Sequence, residues 1–260
     1  METSLIEQHK DEKPEENVKP KGNRFVNILL FIMFMIIAQI PMILGMVTMG
    51  FAVSKHNTIT GVIGLGLAFI IATGLIGWWV RSYYLRHTYE TPKKHKIKPR
   101  DVGINLLWFI GTRVIVSAFM LLMLYVYGEE SSANDEALME HLNKIHSLTP
   151  EIIIGLIVFF IAVTFVAPYL EEIVFRGIFR ETIFSKFSLW LPMLLSSAIF
   201  SLNHASTNII GFIMYMSMGV ILYLAYNRRK SLKDSMMVHI LNNANASIVM
   251  IITLIVQIYN

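Results

Sequence analysis

Residues 152–180 read IIIGLIVFFIAVTFVAPYLEEIVFRGIFR. An apolar run long enough to cross a bilayer closes on two adjacent glutamates, Glu171 and Glu172, and Arg176 follows one helical turn later. At i and i+4, Glu172 and Arg176 are neighbours on one helix face and can pair. Glu171 lies about 100° round the helix from Glu172, because a turn takes about 3.6 residues. One carboxylate can therefore be held by the arginine while the other faces elsewhere, a division that suits a structural pair plus a free base. Read alone, the cluster fits equally well as interfacial charges capping the span, since charges at a helix end cost little and buried ones cost much.

Composition sets the solvent. Of the 260 residues, 55% are hydrophobic and 15% charged, and the mean hydropathy is +0.57. A soluble domain carries roughly a quarter charged residues, so the deficit points to an integral membrane protein. The formal net charge of +4 then reads as a topology signal. No basic stripe interleaved with aromatics suggests a nucleic-acid surface, and no nucleic-acid partner is expected. Cysteine is absent, which excludes disulfides, thiolate zinc sites and a cysteine nucleophile. Residues 1–23 are polar and mixed in charge and read as a disordered tail without a cleavable signal peptide.

Seven spans of helical length follow: Phe25–Gly50, Ile59–Val80, Ile104–Tyr127, Ile152–Leu170, Leu189–Asn203, Ile209–Tyr226 and Met236–Ile258. The runs are continuous rather than alternating, so helices are expected and strands are not. Lys and Arg gather in the N-terminal tail, in loop 81–101 and in loop 227–235. All three fall on one side if seven helices alternate from a cytoplasmic N-terminus, while the acidic loop GEESSANDEALMEHLNKIHSLTP (128–150) falls outside. Trp78, Trp79, Tyr83 and Tyr84 sit where an interfacial aromatic belt belongs.

Two further constellations stand on apolar helices. In FSLNHASTN (200–208), helical spacing places Phe200, His204 and Asn208 on one face. In HILNN (239–243), His239 and Asn243 share a face, with Asn242 and Asn245 close by. Singly, these are a histidine bonded near a helix end and amides that glue helices together. Jointly they are more: ionisable groups within a membrane mark function, and here a carboxylate, two imidazoles and an amide come from three helices. A carboxylate can act as general base toward water, and imidazole and amide N–H groups can stabilise an oxyanion. None of Ser201, Ser206 and Ser217 lies in a nucleophile-elbow setting, so this toolkit needs no covalent nucleophile.

In that order, the motifs EEIVFR (171–176), FSLNH (200–204) and HILNN (239–243) resemble those of the CPBP intramembrane proteases, also called the Abi or CAAX-protease family, over roughly residues 150–250. The resemblance implies an all-α, polytopic transmembrane bundle of seven or eight membrane helices around a buried conical catalytic cavity. It divides the chain into the tail 1–23, N-terminal membrane helices over 24–149 with the basic loop 81–101, and a catalytic core over 150–260. It implies a glutamic endopeptidase in which Glu171 is the base, His204 helps to activate water, and His239 and Asn243 form the oxyanion site. Glu172, Arg176, Phe200 and Asn208 are then supporting residues, no cofactor is required, and the substrate is a peptide or membrane protein in the bilayer. The chain resembles bacterial members, which implies a multi-pass protein of the cell membrane.

If the fourth span ended at Leu170, Glu171 would sit at the interface and His204 about 20 Å deeper. The expectation is therefore a helix tilted, or kinked near Pro168, that continues past Arg176. Arg113, inside the third span, either snorkels to the cytoplasmic face or pairs with Glu171 or Glu172. Three other functions remain open from the residues: a zinc site of Glu171, His204 and His239, although H-E-x-x-H is absent; a non-catalytic membrane partner in bacteriocin self-immunity or envelope regulation, as the resemblance allows; and a proton-coupled carrier, although no two-fold repeat is visible.

Overall fold

The fourth helix does not end at its carboxylates. In the computed structural model, which describes residues 22–88 and 96–259, the helical path runs unbroken from Pro150 to Ile183. It comprises α6 (Pro150–Ile161), a π-helical stretch (Ala162–Val166), α7 (Ala167–Glu172) and a second π-helical stretch (Ile173–Ile183). The first wide turn lies just ahead of Pro168. Proline lacks an N–H, and its ring crowds the carbonyl four residues back, so local widening is the expected accommodation. Glu171 therefore lies roughly 18 Å before the end of this helix, at about 1.5 Å per residue. This bears out the helix expected to continue past Arg176 with an irregularity near Pro168, and it moves the span boundary first read at Leu170.

The other elements are α1 (Arg24–Ile37), α2 (Ile40–Ala52), α3 (Ile59–His87), α4 (Pro99–Tyr127), α5 (Ala133–Leu142), α8 (Trp190–Leu202), α9 (Ile209–Asn227) and α10 (Leu232–Tyr259). No strand occurs among the described residues. Six of the described helical segments are long and apolar enough to cross a membrane, α1 and α2 counting as one, and α8 is a shorter apolar helix. All seven expected spans are thus present in an all-helical, multi-pass bundle. The residues from 171 to 183 extend the fourth. Starts are capped by short polar side chains: Asn23, Thr58, Thr149 and Asn208 each accept a backbone N–H in the first turn. The tail before residue 22 and the basic-loop residues 89–95 lie outside the described residues.

Helix α9 packs against α8, α4 and α10, α2 packs against α6 and α3, and α1 lies along the second π-helical stretch. At one end, Arg228 and Arg229 in the α9–α10 turn bridge Asp101 of α4 and Asp234 of α10, at 2.8–3.3 Å. At the other, Gln257 donates to the carbonyls of Asn143 and Ile145, tying α10 to the segment after α5. The aromatic belt needs one correction. Trp78 and Trp79 are exposed, but Tyr84 is buried at 5%, its ring resting where Gly177 leaves no side chain.

Helices α8 and α9 touch at Gly219, where an added Cβ would lie 2.9 Å from Ser197 Cα. Backbone cannot yield there as a flexible side chain would. Gly219→Val is expected to lower stability by roughly 1–3 kcal/mol, the usual cost of overpacking, measured by thermal unfolding in detergent.

Candidate active site

Glu172, Arg176 and His239 form one dry cluster. Glu172 and Arg176 are fully buried and His239 is 2% exposed. Glu172 Oε1 accepts from Arg176 Nη1 at 3.1 Å and from His239 Nδ1 at 2.9 Å. The i, i+4 pairing read from the sequence is therefore made, and it recruits a third group from α10. Arg176 Nη2 donates to the Gly219 carbonyl at 3.1 Å, and the guanidinium lies over the Phe200 ring at 4.8 Å. Such a cluster tolerates desolvation only because each charge has partners.

The tautomer of His239 follows from its neighbour. A carboxylate only accepts, so Nδ1 carries the proton and Nε2 is the free ring nitrogen. Nε2 lies 3.9 Å from Glu171 Oε2. Glu171 thus faces away from the arginine, as its 100° offset required, and toward the imidazole. It is 9% exposed, the least enclosed of the two carboxylates.

His204 follows the last turn of α8. Its Nδ1 lies 2.9 Å from the Phe200 carbonyl, so that nitrogen donates and Nε2 keeps its lone pair. The ring stacks on Tyr215 at 4.6 Å and 19°, and contacts Phe200 at 4.5 Å. Phe200 also meets the His239 ring at 5.7 Å, so one buried aromatic separates the two imidazoles. Glu171 lies within electrostatic range of His204. The depth conflict disappears, because the fourth helix runs on to Ile183 and leaves Glu171 roughly 18 Å from its end, while α8 starts at Trp190 and covers about the same distance before His204.

Asn243 donates through Nδ2 to the Val163 carbonyl at 2.9 Å, inside the first π-helical stretch. Next to it, Thr164 pairs with Ser247 at 2.8 Å. The wide turn ahead of Pro168 thus supplies contacts for the polar face of α10. Asn208 departs from expectation. The helix ends at Leu202, so His204 and Asn208 do not share a helical face. Asn208 instead caps α9 through Gly211 N and donates to Glu129 at 2.7 Å. Arg113 neither snorkels nor pairs with either glutamate among the described ion pairs; its Nη1 donates to Asn242 Oδ1 at 3.0 Å.

A cavity of about 610 Å³ joins these groups. His204, His239, Asn243, Arg113, Tyr215 and Asp135 line it, with a methionine-rich apolar wall, and Glu171, outside this lining, approaches His239 Nε2 at 3.9 Å. The segment between α4 and α6 supplies part of the wall, and Ser132 Oγ bonds Tyr215 Oη at 2.9 Å and Asp135 Oδ2 at 2.8 Å. Burial pushes the Asp135 carboxyl up, opposed by the Ser132 hydroxyl and the Arg113 charge. Tyr215 and Asp135 had no motif to announce them and Arg113 stood out only as a charge inside the third span; their meeting in the cavity joins them to the site. Among the described residues, no group of three or more His, Cys, Asp or Glu side chains is placed to hold a metal.

The chain is thus a polytopic helical bundle whose imidazoles and amides meet at an internal cavity. The family model described as Type II CAAX prenyl endopeptidase Rce1-like matches residues 153–245, which contain all three motifs. UPF0177 protein YbdI of Lactococcus lactis subsp. lactis (strain IL1403) is 30% identical over 141 residues, covering 52% of this chain and 71% of that protein. No solved structure matches. The chain belongs to this CPBP, or CAAX-protease, family, whose membership suggests intramembrane protease activity.

Arg176→Met leaves Glu172 charged and buried without its cation. The expected loss is roughly 3–5 kcal/mol, read from thermal unfolding in detergent. Adding Glu172→Leu should recover part of it, because an apolar pair removes both charges.

Proposed function

We propose that this chain is a glutamic-type intramembrane endopeptidase that cleaves a peptide or membrane-protein substrate with water activated by Glu171. The observation that carries this reading is the His239 imidazole held between two carboxylates, bonded to Glu172 at Nδ1 and 3.9 Å from Glu171 at Nε2. Glu172 is committed to Arg176 and His239 in the dry interior. Glu171 is the carboxylate left to take a proton.

In this mechanism water stands between Glu171 and His204 Nε2, and both acceptors orient it. Glu171 removes a proton as the water oxygen attacks the peptide carbonyl. The carbonyl oxygen becomes an oxyanion beside His239 and Asn243. Asn243 has a second N–H beyond the one given to Val163. With Nε2 protonated, His239 donates as well, and the flanking carboxylates offset its charge. The proton held by Glu171 then passes to the leaving amine, and the water oxygen remains in the new carboxyl group. The reaction needs no metal: the residues proposed to act are an acceptor pair and two donors.

Orientation follows from charge. With the N-terminus cytoplasmic, the basic end carrying Lys96, Arg228 and Arg229 faces inward, and the Glu130 and Asp135 side of the cavity faces outward. The absence of native cysteine makes this directly measurable. A membrane-impermeant maleimide applied to intact cells should label Glu140→Cys and spare Lys96→Cys; the reverse pattern inverts the topology.

The activity is tested by comparing membrane-associated peptides from cells making the wild-type chain or Glu171→Ala. A full-length peptide should accumulate in the variant. With that peptide, Glu171→Ala, His204→Ala and His239→Ala should each lose at least about 100-fold in kcat while still inserting. Unchanged cleavage by Glu171→Ala would sink the mechanism. Full complementation by Glu171→Ala without cleavage would instead mark a non-catalytic membrane partner.

A further inference from the structure

Arg113 is a cation in the cavity wall that lies outside the three motifs and outside residues 153–245. It is the first member of a directed chain. Arg113 Nη1 donates to Asn242 Oδ1 at 3.0 Å, Asn242 Nδ2 lies 3.5 Å from Asn243 Oδ1, and Asn243 Nδ2 donates to the Val163 carbonyl at 2.9 Å. A guanidinium can only donate and a backbone carbonyl can only accept. The two ends therefore dictate which way each intervening amide points. Asn242 must turn its oxygen to the arginine, which turns its nitrogen to Asn243. Asn243 must then turn its oxygen to Asn242 and its nitrogen to Val163 and the cavity.

We propose that Arg113 is a positioning residue that fixes the polarity of this amide chain, so that Asn243 presents an N–H rather than an oxygen to the cavity. The inference deepens the peptidase reading and rests on it for its catalytic consequence. A flipped Asn243 would set a lone pair against the developing oxyanion. Val163 restrains that flip from one side, through the backbone; Arg113 restrains it from the other. The charge also polarises the chain, because hydrogen bonds in series strengthen one another. Asp135 lies in the same cavity wall and offsets the charge without forming an ion pair within 4 Å among the described residues. Arg113 is thus left free to donate along the chain.

The first test needs no turnover. Chain labelled with 15N-asparagine in detergent micelles gives side-chain NH2 resonances, and the Asn243 pair is the one lost in Asn243→Asp. Arg113→Met should shift or double that pair although, among the described residues, Arg113 bonds Asn242 and not Asn243, and Arg113→Lys should return it toward the wild-type position. An Asn243 pair unmoved by Arg113→Met overturns the proposal. Thermal unfolding of the same samples separates this from loss of fold.

The second test is kinetic, with a quenched fluorescent peptide ending in a prenylated CAAX tetrapeptide as probe. Arg113→Met should lower kcat by roughly tenfold, in the range expected when a reacting group is slightly misplaced, with KM unchanged. In an Asn243→Ala background it should cost nothing further, because the group it positions is gone. A rise in KM alone, or an equal loss in both backgrounds, overturns the proposal. Wild-type cleavage by Glu171→Ala would instead refute the peptidase mechanism and leave the resonance test of the amide chain standing.

Discussion

The buried Glu172–Arg176 pair is the constraint around which the rest of this protein is arranged. Two opposite charges with no solvent access are costly to desolvate and are stable only while each is paired and hydrogen-bonded. The pair therefore reaches beyond its own helix. Arg176 takes the Gly219 carbonyl of α9 and the face of Phe200 of α8, and Glu172 takes Nδ1 of His239 on α10. Three helices are thereby drawn to one level of the fourth. The brace also aims His239, whose second nitrogen is left facing Glu171. Structural charge and candidate catalytic charge are neighbours in sequence but differ in how fully their environment uses them.

Pro168 contributes a second constraint. The π-helical stretch ahead of it leaves Val163 and Thr164 bonded to Asn243 and Ser247 of α10. A helix of regular geometry would keep that carbonyl for itself. The departure that accommodates proline thus fixes the polar face of α10 at the depth where His239 and Asn243 enter the cavity. At the opposite wall, the Ser132–Tyr215 bond and the Asn208–Glu129 bond hold the acidic segment against α9.

Much of this was legible from residue spacing. The Glu172–Arg176 contact and the shared cavity wall of His239 and Asn243 follow from helical periodicity alone. The span boundary at Leu170 did not hold, because two glutamates look like the end of a membrane span until their partners on α8, α9 and α10 are known; only the need for Glu171 to reach the depth of His204 carried the helix past Arg176. Those partners lie up to 67 residues away. Tyr84 misled for a related reason: beside Trp78, Trp79 and a basic loop it reads as interfacial, and only the missing side chain of Gly177 gives it a buried seat. Asn208 misled because periodicity was carried past Leu202, where the helix had already stopped. The run Ala-Ser-Thr-Asn before Ile209 is better read as a loop ending in an N-cap. Tyr215 carried no local signal, and Arg113 signalled only a charge inside a span; the meaning of both is a shared cavity.

The central claim is that Glu171 works as a base while Glu172 works as a brace, and chemical rescue separates the two roles. Glu171→Gly and Glu172→Gly are assayed in detergent, with and without added formate, on the peptide that accumulates when Glu171 is lost. Formate should restore cleavage to Glu171→Gly in proportion to its concentration, because a small carboxylate can enter the cavity and take the water proton. It should not restore Glu172→Gly, whose missing carboxylate belonged to a dry cluster. Rescue of Glu172→Gly alone, or wild-type cleavage by Glu171→Gly without formate, would contradict the account.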